Sequence, residues 1–352
     1  MFIIPSSIIK NTDIMDTNQF LQDLASRLED LQYLVKETNK MPVLILSQHP
    51  LESMTGALLP NIRESISNII CFVEIGDETY LSIILEKILG HVDRIILDID
   101  NKRNNSRDII ETVLNIQQSI PVLFYSDLDV WGNTSVDLIA YNEGGLKNKK
   151  VLVCGNSLLS SRIIAKLLRY GAHVYLHAEE YVDSTLKCDM NTSFSIQSEN
   201  LHYTQCGDKF YDIIIGSAIF NKAMIYDTDG AKSIYDVGLN NFEQDFIVSM
   251  RINNASIYRY DNRAGISSVL LNLLETEYLI KYNMGEVRIG DIDVISGGVM
   301  GIDGAIVVDN AYNPQFVVGV ANGTGIIKSA NELTQKNIED IDTINQLIAY
   351  GK

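Results

Sequence analysis

One stretch constrains the rest of the chain. Val151-Leu152-Val153-Cys154 is a short apolar run. Gly155-Asn156-Ser157-Leu158-Leu159-Ser160-Ser161 is rich in small residues, and Arg162 to Tyr170 carries apolar positions at helical spacing. Gly171-Ala172 breaks that pattern before a second apolar run, Val174-Tyr175-Leu176. Strand, tight turn, helix, turn and strand in this order predict the opening of a nucleotide-binding βαβ unit. In such a unit a helix N-terminus faces a pyrophosphate.

The flanking sequence repeats the alternation. Residues 15–40 read as an amphipathic helix, 42–46 as a buried strand and 68–75 as a second. A helix over 77–89, a strand over 93–99, a helix over 106–117 and a strand over 121–125 follow. Asn133-Thr134-Ser135 is expected to start a helix that Gly144-Gly145 ends. Beyond the βαβ opening, strands are expected near 193–196, 211–217, 233–238 and 255–260, then a long helix over 265–282. Residues 286–327 hold four short β-type runs between Gly-rich or Asn-Pro turns and read as an antiparallel hairpin unit. Ser329 and Glu332 form a capping box that should open a terminal helix.

The expected class is therefore α/β: an N-terminal parallel-sheet domain, a Rossmann-type NAD(P)-binding domain, and a C-terminal β-hairpin appendage with a terminal helix. The expected divisions are 1–145, 146–262, a helix crossing back over 263–285, and 286–352.

Charge and composition exclude several functions. A net charge of −17 opposes binding to a phosphate backbone or an anionic membrane. No apolar run approaches the ~18 residues of a membrane span, and the first residues lack the basic region of a signal peptide. The expectation is a cytoplasmic protein. Cys71, Cys154, Cys188 and Cys206 have no metal-ligand spacing, so free thiols and no metal are expected.

The turn departs from the usual three glycines: Gly155 is followed by Ser157 and Ser160. Serine is small enough for close approach, and its hydroxyl can donate to a phosphate. Arg162 could add a charge. Glu179, about 20–25 residues beyond Gly155, could accept from ribose hydroxyls and repel a 2′-phosphate, favouring NAD over NADP. The cofactor-binding candidates are Gly155, Asn156, Ser157, Leu158, Leu159, Ser160, Arg162, Glu179, Ser217 and Gly238.

Four segments in order resemble known families. Val153 to Ser160 resembles the strand-turn-helix of the methylenetetrahydrofolate dehydrogenase/cyclohydrolases. Tyr235-Asp236-Val237-Gly238-Leu239-Asn240 is similar to their Ile-Asp-Val-Gly-Ile-Asn segment, and Asp261 to Leu270 to their loop into a long helix. Gly132-Asn133-Thr134 resembles the Gly-x-Asn-Thr-Asp of shikimate dehydrogenases. The pyrrolysine-forming dehydrogenase is a more distant likeness. These resemblances imply a two-domain amino-acid dehydrogenase-like layout. They do not carry over an activity. The folate family's Tyr-x-x-x-Lys is absent, since Tyr33 and Lys36 are one residue too close. The shikimate family's Asp is Ser135, and its catalytic lysine has no counterpart.

The chemistry is expected at the carboxyl ends of the strands. Gln48, His49, Asp98, Asp100, Ser126, Asp127 and Asp129 lie at such ends in the first half, and Asn240, Asp261 and Arg263 in the second. Asp127 and Asp261 are the acid–base candidates and Arg263 the anchor for a substrate carboxylate. The resulting expectation is an NAD(P)-dependent oxidoreductase, acting by hydride transfer on a small polar metabolite such as an amino acid or its derivative, and forming a homo-oligomer. Two other classes fit the same residues: a regulatory protein with a degraded nucleotide site, and an S-adenosylmethionine-dependent methyltransferase.

Overall fold

The computed structural model describes residues 17–49, 57–59, 62–76, 79–88, 90–100, 102, 106–116, 119–155, 157–177, 200–204, 210–219, 230–260 and 263–350. The expected strand near 193–196, and Asn156, Glu179 and Asp261, lie outside them. The fold is α/β, in two compact units comprising residues 1–269 and 270–352.

The first unit holds two sheets. In the first, β1 (Met41–Gln48), β4 (Asn68–Ile75), β5 (Arg94–Asp98) and β6 (Val122–Tyr125) are parallel in the order β4-β1-β5-β6. The short β2 (Ala57–Leu58) and β3 (Arg63–Glu64) pair antiparallel with the outer edge of β4. Neither was expected, because a two-residue strand has no periodicity to detect. Helices α1 (Thr17–Thr38), α2 (Thr79–Ile88) and α3 (Ser106–Ile116) accompany this sheet. The central strand β1 is buried along nearly its whole length, which explains its unbroken apolar run.

The second sheet is built on β7 (Lys150–Cys154). Its other strands are β8 (His173–His177), β9 (Leu201–Thr204), β10 (Phe210–Gly216), β11 (Gly230–Asp236) and β12 (Ser256–Arg259), in the order β12-β11-β10-β7-β8-β9, all parallel. This is the doubly wound order of a dinucleotide-binding sheet, with its switch point between β7 and β10. Helix α5 (Leu158–Arg169) follows β7 and buries Leu159, Ile163, Ile164, Leu167 and Leu168. Each contributes about 1.5–3 kcal/mol. Gly171, at φ 77°, ends the helix. Helix α6 (Gln244–Ile252) precedes β12, where no helix was expected.

Between the sheets runs α4 (Asp127–Asn142). The expected start at Asn133 is corrected: the helix begins six residues earlier. Ser126 is its N-cap and accepts from the amide of Asp129. Asn133 to Ser135 lie in mid-helix. Ser135 is buried, and its hydroxyl donates to the Trp131 carbonyl at 2.8 Å. Helix α7 (Arg263–Tyr278), ending in a π-turn over Leu279–Asn283, starts on α4. A Cβ at Gly265 would fall 1.9 Å from Thr134 Oγ1 and 3.0 Å from Val130.

The second unit carries a four-stranded sheet of β13 (Gly285–Ile289), β14 (Ile292–Ser296), β15 (Ile306–Val308) and β16 (Val317–Val320), followed by α8 (Gln335–Tyr350). It is mixed: β13–β14 and β15–β16 are antiparallel, but β14–β15 is parallel. The nine residues between β14 and β15 are enough to cross back without a helix, so the expected purely antiparallel unit is corrected. The Ser329–Glu332 capping box forms but opens only a short 3-10 turn. The terminal helix starts later, where Thr334 and Asn337 each accept the other's amide.

Candidate functional site

The carboxyl end of the first sheet carries a row of polar residues across four strands. Ser47 is in register with Glu74 and Asp98 with Tyr125, and Ser47 Oγ donates to Asp98 Oδ2 at 2.9 Å. Ser47, Asp98 and Tyr125 are buried. Above the row sits Lys102. Its Nζ lies 2.8 Å from Asp98 Oδ2 and 2.5 Å from Asp127 Oδ2, and donates to Ser47 Oγ at 2.7 Å. Only 3% of the Lys102 side chain is exposed, against 11% for Asp127.

The cluster is also the cap of α4. Asp98 Oδ1 accepts from the Asp127 amide and Asp100 Oδ2 from the Leu128 amide, while Ser126 Oγ donates to Asp100. These carboxylates gather at a helix N-terminus, where the backbone dipole favours negative charge. The ammonium of Lys102 supplies the remaining compensation. The neighbouring carboxylates hold its charge well above the ordinary lysine range, more than offsetting burial.

Two further acids border this centre. Burial raises the Asp100 carboxyl to about 6, against its hydrogen bonds. Burial also raises Glu74 to about 7, only partly opposed by Lys102. Glu74 Oε2 lies 3.6 Å from His49 Nε2, and 28% of its side chain is exposed. The Tyr125 hydroxyl is pushed well above its usual range by burial and by Asp127, to which it donates at 3.4 Å. Fixed positive charge, ionised carboxylate and acids near neutrality within one patch are what proton exchange requires. Among the described residues no group of three or more His, Cys, Asp or Glu could hold a metal ion.

Helix α4 carries this centre to the second sheet. One turn after Asp127, the Trp131 indole donates to the carbonyl of Val237, at the end of β11, at 2.9 Å. Asp129 pairs with Arg162 Nε at 2.7 Å and Asp137 with Lys166 Nζ at 2.6 Å, tying α4 to α5. Gly132 permits the close approach, since a Cβ there would fall 2.8 Å from Arg162 Cβ.

The turn before α5 is held by its serines. Ser157 and Ser160 form a capping box, Ser157 Oγ donates to the Ser217 carbonyl, and Ser160 Oγ shares a hydrogen bond with Ser217 Oγ at 2.8 Å. Ser160, Ser217 and Leu159 are fully buried. The hydroxyls that could donate to a phosphate are here bound to one another and to the Ser217 carbonyl. Arg162 is exposed but engaged by Asp129, and Leu158 is exposed. Gly155, at φ 138°, admits no side chain, because a Cβ would lie 2.7 Å from the Ala218 amide. Gly238 packs as closely on the Ala218 carbonyl.

That neighbouring loop is held by side-chain hydrogen bonds. The fully buried Asn241 accepts from the Ala218 amide at 2.9 Å and donates to its carbonyl at 2.6 Å. Asp236 accepts from the amides of Asn240 and Asn241. Leu239 and Asn240 both take positive φ, a conformation that only such a network sustains. Arg263 begins α7. Burial raises the Cys71 and Cys154 thiols to about 11 and about 12, which makes them core residues.

The sequence reading singled out Asp127 but passed over Lys102, which the structure places beside it, and left Ser47 and Glu74 unremarked. The signal was present. Four parallel strands each place a polar residue at the same level, and two buried acids demand a nearby cation.

No protein-family profile and no curated protein matches the sequence. Similar solved structures include the anabolic ornithine carbamoyltransferase of Campylobacter jejuni, with 10% identity, 72% of this chain and 96% of that one covered, and a TM-score of 0.39. The shikimate dehydrogenase of Aquifex aeolicus shows 14% identity over 69% and 93% of the two chains, with a TM-score of 0.37. The L-tryptophan dehydrogenase of Nostoc punctiforme shows 12% identity over 69% and 76%, with a TM-score of 0.39. Likenesses at this level carry no argument about chemistry. Among the described residues no helix is long and apolar enough to cross a membrane.

Proposed function

We propose that this protein is an NAD(P)-dependent oxidoreductase acting on a small polar metabolite, with NAD the favoured cofactor. The observation that carries the reading is the placement of the Lys102–Asp127 pair at the head of α4, one turn before Trp131 reaches the end of β11. A buried lysine–aspartate pair and a dinucleotide-type sheet thus share one connecting helix.

The residues present fit such a cofactor. The strand order puts α5 at the switch point, and Gly155 lets two loops close together there. Capping by Ser157 engages the Ser160 amide and leaves those of Leu158 and Leu159 for an anion. Gly155, Leu158, Gly238 and, beyond the described residues, Asn156 and Glu179 would hold the dinucleotide, which supplies the hydride acceptor when bound. Asp127 would take the substrate proton, with Lys102 stabilising the charge left on oxygen. Arg263 stays a candidate for binding a substrate carboxylate, and Asp261 a second candidate for acid–base chemistry. The parallel β12 favours this reading over a methyltransferase, whose sheet would end in a reversed strand.

A second reading, nucleotide sensing without turnover, draws on the serines committed to one another in the turn. Incubation with NAD or NADP and a panel of small hydroxy acids and amino acids, followed by nicotinamide absorbance, separates the two. Turnover abolished in Asp127→Asn but with cofactor binding retained supports the first reading. Cofactor binding with no turnover on any substrate class favours the second.

A further inference from the structure

The geometry points to a homodimer formed through β13. Among the described residues this strand is one edge of the four-stranded sheet and pairs only with β14. Ile289 and Ile292 flank a two-residue turn whose Gly290 has φ 61°. The pairs Ile289–Ile292, Val287–Val294 and Gly285–Ser296 are therefore the mutually hydrogen-bonded ones. It follows that the backbone N–H and C=O groups of Glu286 and Arg288 point outward from the sheet.

Those two residues are self-complementary. An antiparallel partner strand related by a two-fold axis at Val287 sets Glu286 of one copy opposite Arg288 of the other, twice. The outward backbone groups then meet in hydrogen-bonded pairs. Opposite charges directly across an antiparallel pair stabilise it, and like charges oppose it. Arg288 is two-thirds exposed and its contacts within the chain are long, 3.8 Å to Asp293 and 3.9 Å to Asp291, so it is free to turn outward. On the opposite face Val287, Ile289 and Ile292 are only half-buried, because α8 packs over β15 and β16 instead. A two-fold partner would continue this apolar row with its own. We propose that two copies join here into one eight-stranded sheet, a symmetric contact that closes on itself.

The contact is small, so association should depend on concentration between about 1 and about 300 µM. Analytical ultracentrifugation of the full chain tests it, with circular dichroism as the check on folding. The wild type should pass from monomer to dimer. Arg288→Glu and Glu286→Arg each make the pair like-charged and should weaken association by at least tenfold. An equimolar mixture of the two variants restores both opposite-charge pairs and should dimerise like the wild type. A wild type that stays monomeric at 300 µM overturns the proposal. So does a dimer that neither variant weakens, or a mixture that fails to recover.

Discussion

Replacing Lys102 by methionine tests the energetics of the buried centre. The substitution keeps most of the side-chain volume and deletes one charge held between Asp98 and Asp127. Both carboxylate oxygens lie within 2.8 Å of the same nitrogen, so on the order of 5 Å separates them. At an effective dielectric constant near 20, their unscreened repulsion amounts to about 3 kcal/mol. Adding the lost hydrogen bond to Ser47, the expected destabilisation at pH 7.5 is about 3–5 kcal/mol. The pH dependence fixes the sign. In the variant, burial without a counter-charge raises a carboxyl above its unfolded value of about 3.9. The stability of such a group is intact below the unfolded value and is lost as pH rises through the folded one. The deficit relative to wild type should therefore shrink towards pH 4.5 and reach its full size at neutral pH. Urea unfolding followed by the fluorescence of Trp131, the chain's one tryptophan, reads the helix that carries the centre. A deficit below about 1 kcal/mol at pH 7.5, or one that does not change with pH, would refute the reasoning.

Other outcomes follow from the same contacts. Glu74, raised to about 7, costs stability as pH rises through that value. Glu74→Gln should thus gain on wild type by about 1–2 kcal/mol between pH 5.5 and 8.5, after allowance for its partial exposure, in paired denaturation curves. Asn241→Ala leaves both Ala218 backbone groups without their partner and should lower stability by about 2–4 kcal/mol, seen as a fall in Tm. Gly155→Ala drives a Cβ into the Ala218 backbone at a φ few residues adopt. It should cost about 3 kcal/mol or more, and a loss under 1 kcal/mol would mean the turn is looser than described.

The alternation of apolar runs made the α/β class and the unit around Gly155 legible, because β7 and α5 bury long continuous faces. What escaped notice has a physical pattern. The start of α4 is written in polar cap residues, Ser126 to Asp129, which resemble a loop until their hydrogen bonds are seen. Lys102 lies in the polar run Asn101 to Arg107 and reads as solvated. Only the register of four strands reveals that it neutralises Asp98 and Asp127. The serines near Gly155 were visible as small residues, but nothing in the sequence showed that they bond to one another and to Ser217. Helix α6 is short, with apolar Phe246, Ile247 and Met250 as its buried face.

The central claim is that the loops around Gly155 hold a dinucleotide for chemistry done at Lys102 and Asp127. The most direct measurement is a titration of the full chain with NADH, NADPH and S-adenosylmethionine, followed by nicotinamide fluorescence and thermal shift. The account expects NADH to bind and raise Tm, with binding lost in Gly155→Asp and retained in Asp127→Asn. Binding of S-adenosylmethionine alone, or of none of the three, would contradict it.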